Sequence, residues 1–123
     1  IPPNLLQIPN TESNSQYLRF CKLVSATGHP ARFPEKLPEV FVKFLTERDD
    51  LVLDIFAGSN TTGAVAERLQ RNWLAFEKDH DYLAASIFRF IEDNPSEAKA
   101  TFGKLRSNGT KTFRVPQEAL LFR

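Results

Sequence analysis

Apolar positions along the chain follow two rhythms. Leu37, Val40, Phe41, Phe44 and Leu45 recur at i, i+3, i+4, i+7 and i+8, which predicts a helix over about Glu35 to Glu47 with that stripe turned inward. Pro38 falls in its first turn, where a missing N–H does no harm. The run Leu51-Val-Leu-Asp-Ile-Phe56 is continuous rather than alternating, the pattern of a parallel strand covered on both faces. A glycine-bearing turn follows. A second helix is predicted from Thr61 to Leu69 or Gln70, with Thr62, Val65, Ala66 and Leu69 inward, and then a second strand, Asn72 to Glu77. Strand, turn, helix and strand over residues 51–77 read as one βαβ unit, which crosses over right-handed. Leu83, Ile87, Phe90 and Ile91 predict a third helix over about Asp79 to Glu92, with Asp79 or Asp81 at its positive end and Asn94-Pro95 as its stop.

The flanks are less periodic. Residues 1–28 carry Pro2, Pro3 and Pro9 and a polar run from Asn10 to Gln16, so they read as irregular, with a short helix or strand near Tyr17–Leu23. His29-Pro-Ala-Arg-Phe-Pro34 must be extended or turned, because each proline restricts itself and its predecessor. Residues 94–123 read as a tail punctuated by Gly103 and Gly109, with Thr112–Val115 as a short edge strand. The expected organisation is thus 1–28, a core over 29–93, and the tail. The fold class is α/β with a parallel sheet.

Composition narrows the function classes. At 123 residues the chain holds one domain at most. No stretch approaches the roughly 18 apolar residues of a membrane span, and no secretory signal opens the sequence. A single cysteine, Cys21, excludes an internal disulfide framework and fits a cytoplasmic setting, as an inert thiol. With His29 and His80 the only histidines, a structural zinc site is not expected, and His29 reads as a turn residue. A net charge of +1 is too balanced for a freestanding nucleic-acid clamp, though not for part of a larger DNA-binding protein. Arg89, Lys99, Lys104, Arg106, Lys111 and Arg114 read as a solvated face, and Trp73 as core or sheet face. The chain has no methionine and begins at Ile1, so it is expected to be a fragment of something longer.

The chemistry lies at the turn after the first strand. A glycine between a parallel strand and a helix lets backbone approach a ligand at the helix N-terminus, and an acid ending the next strand, here Glu77, can accept both hydroxyls of a ribose. Three ligand classes compete. Gly58 and Gly63 have the spacing of a phosphate-binding loop, but Ala64 stands where its lysine must be. A dinucleotide fingerprint needs a glycine where Asn60 stands. S-adenosylmethionine needs no phosphate cradle. It needs an acid for its amino group, polar groups for its carboxylate and an apolar slot for adenine; Asp54, Ser59, Thr61 and the flanking phenylalanines offer these.

Asp54-Ile-Phe-Ala-Gly-Ser-Asn-Thr-Thr-Gly63 resembles motif I of the amino-methylating DNA methyltransferases, usually Asp-Pro-Phe-x-Gly-Ser-Gly-Thr-Thr. His29-Pro-Ala-Arg-Phe-Pro34 resembles their motif X, and Glu77 matches their motif II acid. The order X, I, II is that of the β class. Ile55 and Asn60 in motif I, Lys36-Leu-Pro-Glu39 and Ala84-Ala-Ser-Ile-Phe-Arg-Phe90 look like the C-terminal part of the PvuII-type cytosine-N4 subgroup, a similarity extending over residues 17–93.

The resemblance implies a partial Rossmann-like, S-adenosylmethionine-dependent methyltransferase fold, restricted to the cofactor-binding half. It implies Asp54 at the cofactor amino group, Ser59, Thr61 or Thr62 at its carboxylate, Phe56 and Gly58 at the pocket wall, Glu77 on the ribose, and Arg32 with Phe33 as a lid. It implies DNA as the partner of the complete enzyme, with cytosine N4 as target and adenine N6 as the alternative. The family's Asp/Asn/Ser-Pro-Pro-aromatic motif holds the flipped base. Here the only Pro-Pro is Pro2-Pro3, between Ile1 and Asn4, so the catalytic half is expected upstream. A half-sheet should expose apolar surface, and a homodimer or a partner chain is expected to cover it. The rival reading is a non-catalytic, self-associating fragment.

Overall fold

The computed structural model describes residues 4–10, 15–107 and 114. Helix α1 spans Gln16–Leu23, its Ser15 hydroxyl accepting the Leu18 N–H, the standard way to satisfy an otherwise orphaned donor. Helix α2 spans Lys36–Leu45. Strand β1 (Leu51–Asp54), helix α3 (Thr61–Arg68) and strand β2 (Asn72–Ala75) follow. Helix α4 covers His80–Ala85 and runs into a 3-10 turn at Ser86–Arg89, and helix α5 spans Pro95–Ser107.

β1 and β2 pair in parallel, Leu51 opposite Asn72 and Asp54 opposite Ala75, with α3 as the crossover, as the run of residues 51–77 predicts. The pairing continues past the strand ends. The Phe76 N–H donates to Asp54 O at 2.9 Å and the Ala57 N–H to Phe76 O at 2.9 Å, so the turn after β1 is stitched to the segment after β2.

The main core lies beside this sheet. Tyr17, Phe20 and Cys21 of α1 pack against Ala84, Ala85, Ile87, Phe88 and Phe90, and against Ala98 and Phe102 of α5. Phe88 meets Phe20 edge-on at 5.5 Å and Phe102 at a tilt at 5.6 Å. One sheet face turns toward this core: Trp73 stacks on Phe90 at 4.9 Å while its indole N–H donates to Glu67, so it is a sheet-face residue as expected. Among the described residues nothing covers the opposite face. Leu51, Leu53, Ile55, Leu74 and Phe76 are each between 48% and 62% exposed.

Several expectations are corrected. β1 is not covered on both faces. In α2 the buried residues are Pro38 and Val42, whereas Phe41, Phe44 and Leu45 of the expected inward stripe are exposed. The stripe is real, but among the described elements α2 packs chiefly on α3, with Val52 of β1 beside it, and the rest of the stripe stays exposed. The single helix over 79–92 is broken. The Ser86 hydroxyl bonds back to Leu83 O at 2.7 Å, and the chain tightens into the 3-10 turn that puts Phe88 fully inside. Gln16 then captures Phe88 O and Ile91 O from across the core. Asn94-Pro95 stops nothing further on; it starts α5, with Asn94 Oδ1 accepting the Ser96 and Glu97 N–H groups and Pro95 as first helical residue. The tail thus opens as a helix running through Gly103. Apart from exposed Arg114, the expected edge strand at 112–115 lies outside the described residues.

Candidate cofactor site

The carboxyl ends of β1 and β2 meet at the glycine turn. Asp54 closes β1 and its Oδ1 accepts the Phe56 N–H at 2.9 Å, folding the chain sharply outward. Phe56 is left 85% exposed on the lip. Gly58 has φ +55°, and a Cβ there would stand 3.2 Å from three atoms of the His29 ring, so both conformation and space favour glycine. Its N–H donates to Glu77 Oε2 at 2.9 Å, while Glu77 Oε1 accepts the Asp79 N–H at 2.9 Å. Glu77 therefore bridges the turn after β1 to the start of α4.

Asn60 also has positive φ, +62°, in the position where the motif I pattern has glycine. Asparagine tolerates this region better than most side chains. Its Oδ1 accepts the Gly63 N–H at 3.1 Å, and the missing Cβ of Gly63 leaves room for that amide. Asn60 is thus the N-cap of α3, and the substitution of motif I is matched by a glycine three residues on.

The polar candidates divide. Ser59 and Thr61 are buried, their hydroxyls 3.2 Å apart. Ser59 faces inward, because Arg89 Nη2 donates to its hydroxyl at 3.0 Å and Arg89 Nε to its carbonyl at 2.8 Å. Thr62 is half-buried and lines an apolar groove of about 360 Å³ with Phe33, Leu37, Phe41, Val42 and Val52. Phe33 is hence brought to the edge of α3. Arg32 turns away: its guanidinium donates to His29 O and lies beside Gly28.

Three residues outside the expected cofactor contacts are brought into this region. Arg89 is no part of a solvated face, since its side chain is 5% exposed. Tyr17 is buried; its hydroxyl accepts the His29 N–H at 3.1 Å, and its ring lies 4.7 Å from the Arg89 guanidinium carbon. Burial pushes the Tyr17 phenol up to about 12. His29 is a turn residue as read, its Nδ1 accepting the Ala31 N–H, but its ring also backs Gly58 and meets Tyr82 edge-on at 4.7 Å. The signal for Arg89 was present: a charge in the middle of Ile87-Phe-Arg-Phe-Ile91 has to be buried or break the run.

The glycine turn after β1, Glu77 joining it to the start of α4, and exposed Phe56 on its lip thus come together at the carboxyl end of a parallel βαβ unit. The family model described as DNA methylase matches residues 3–88, and the chain belongs to this N6/N4 methyltransferase family. It is 64% identical over 101 residues to the type II methyltransferase M.PvuII of Proteus hauseri, covering 82% of this chain and 30% of that protein. It is 43% identical over 58 residues to M.BglI of Bacillus subtilis, covering 47% and 17%. The solved PvuII DNA methyltransferase, titled cytosine-N4-specific, superposes with a TM-score of 0.83 at 56% identity over 89% of this chain and 39% of that one. The fold is therefore that of the PvuII methyltransferase, and the chain spans less than two fifths of the relatives it matches.

Proposed function

We propose that this chain is the S-adenosylmethionine-binding part of a site-specific DNA methyltransferase whose target is the exocyclic N4 amine of cytosine. The observation that carries the reading is the Glu77 bridge to the Gly58 N–H, in a chain so similar to M.PvuII. The residues present fit the cofactor. Glu77 keeps lone pairs beyond its two backbone bonds for ribose hydroxyls. Asp54 offers its second carboxylate oxygen to the amino group. Gly58 lets backbone come close, and Phe56 supplies an apolar wall. Of the three hydroxyls proposed for the carboxylate, that of Thr62 is half-buried near Phe33, and those of Ser59 and Thr61 are buried against each other. Arg32 would have to release His29 O to serve as a lid.

Bound S-adenosylmethionine supplies an activated methyl on a sulfonium centre. The work of this half is to hold that centre in line with an incoming amine, so positioning dominates and no covalent enzyme intermediate is needed. The groups that would hold the flipped base have no counterpart among the motifs of this chain. We assign them to the remainder of the methyltransferase fold, on the same or a second polypeptide, packed on the bare sheet face; DNA would be bound by that whole.

Isothermal titration with S-adenosylmethionine tests the reading. The wild-type chain should bind saturably, and Glu77→Ala should weaken binding by about 10- to 100-fold, the loss of a charge-assisted hydrogen-bond acceptor. A wild-type chain that takes up no cofactor at millimolar concentration would sink it.

A further inference from the structure

We propose that Arg89 is a positioning residue for the cofactor site, fixing the Gly58–Asn60 turn from below so that the Gly58 N–H is held on Glu77. The inference rests on the cofactor reading above.

A guanidinium with a 5% exposed side chain has given up most of its water, so its partners define its role. Two of its donors converge on Ser59, one on the carbonyl at 2.8 Å and one on the hydroxyl at 3.0 Å. This fork is a geometry that arginine provides and lysine does not. Its third nitrogen lies 4.0 Å from Glu35 Oε1, one residue beyond the His29–Pro34 segment, and its guanidinium carbon lies 4.7 Å over the Tyr17 ring. Ser59 lies between two residues of positive φ, Gly58 and Asn60, in a turn closed by the Asn60 N–H on Ala57 O at 2.7 Å. Such a turn is held by its attachments rather than by propensity. One attachment is Ala57 N–H to Phe76 O, another Gly58 N–H to Glu77, and the one reaching from the helical core is Arg89. Freeing Ser59 would let the turn rotate and release Gly58 from the very carboxylate assigned to the ribose. Arg89 acts through Ser59 and Gly58.

The test combines amide hydrogen exchange with cofactor titration, on Arg89→Lys, Arg89→Ala, Glu77→Ala and the double variant Arg89→Lys/Glu77→Ala. Arg89→Lys keeps the charge and loses the fork, so it carries the test should Arg89→Ala fail to fold. Exchange at Gly58 and Asn60 should quicken at least about tenfold in Arg89→Lys while the α5 amides keep wild-type protection, which separates local release from global loosening. Cofactor affinity should fall about tenfold, comparable to the loss of other supporting contacts behind a ligand-holding group. The double variant should bind no worse than Glu77→Ala alone, since both act through one contact. Unchanged Gly58 exchange, unchanged affinity in a wild-type background that binds, or additive losses would each overturn the proposal. A wild-type chain that binds no cofactor, with Gly58 exchange still quickened by Arg89→Lys, would instead locate the failure in the cofactor reading.

Discussion

Asn60 and Gly63 form a matched pair that neither residue explains alone. A Cβ at Gly63 would stand 2.8 Å from the Asn60 amide carbon, so alanine there must expel the cap that Asn60 provides. Loss of an asparagine N-cap costs about 1 kcal/mol, and the steric displacement adds to it. Gly63→Ala should therefore destabilise the chain by about 1–2 kcal/mol in urea unfolding. In an Asn60→Gly background, which restores the residue usual in motif I, the amide is gone and the positive φ is free of strain. There the same Gly63→Ala change should fall within about 0.5 kcal/mol of neutral, helped by alanine's better helix propensity. Equal costs in the two backgrounds would dissociate the pair. Asn60 was legible as a departure from a pattern, but its partner was not, because the link depends on a side chain folding back over the helix start.

At the scale of elements, the parallel βαβ unit and α2 were readable and α1 only as a short helix or strand, whereas the break after α4 and the start of α5 were not. Continuous apolar runs and a glycine turn are local signals, so β1, α3 and β2 sit within two residues of their expected bounds. Helix α1 and the break between α4 and the 3-10 turn depend on long-range bonds such as Gln16 to Phe88 O, which no window along the sequence contains. Asn94-Pro95 reads as an ending, yet the preceding helical stretch already closes at Arg89 and Pro95 opens α5, whose first turn suits proline. The importance of α1 can be checked through Tyr17. Its phenol titrates near 12 in the folded chain against 10 unfolded, chiefly through burial. The unfolded chain therefore gives up this proton first. The associated stability is intact below pH 10 and drains away as pH rises to about 12, by up to roughly 2–3 kcal/mol. Tyr17→Phe should lose about 1 kcal/mol at neutral pH with the hydroxyl that accepts from His29, yet show a flatter decline across that alkaline window. Parallel curves for the two proteins would mean that Tyr17 is not the group responsible.

For the whole molecule, the decisive feature is a sheet with one finished face. Leu51, Leu53 and Ile55 alternate with half-buried Val52 and Asp54, and Leu74 and Phe76 do the same beside Trp73 and Ala75, so the continuous apolar runs are accounted for only if something covers both sides. Exposed Phe41, Phe44 and Leu45 on α2 and Phe56 on the turn add to the apolar surface. Contiguous apolar surface of this kind marks an interaction site in a soluble protein. A chain with this surface should bind an apolar dye and associate as its concentration rises. Leu53 and Leu74 are directly opposite in the ladder and lie at the middle of the bare face, so Leu53→Lys with Leu74→Lys places two charges side by side there. Both side chains are about half exposed, so each change should alter monomer stability little, while like charges directly across the strands give a small further loss. The double variant should therefore lose most dye binding and remain monomeric in sedimentation, at nearly the wild-type melting temperature. Dye binding and association that survive both lysines would place the sticky surface on α2 instead, and would remove the bare sheet face as the seat of the missing contacts. Loss of association together with retained cofactor binding would separate the two halves of the proposed function: a site complete enough to hold S-adenosylmethionine, and a face awaiting the rest of the fold.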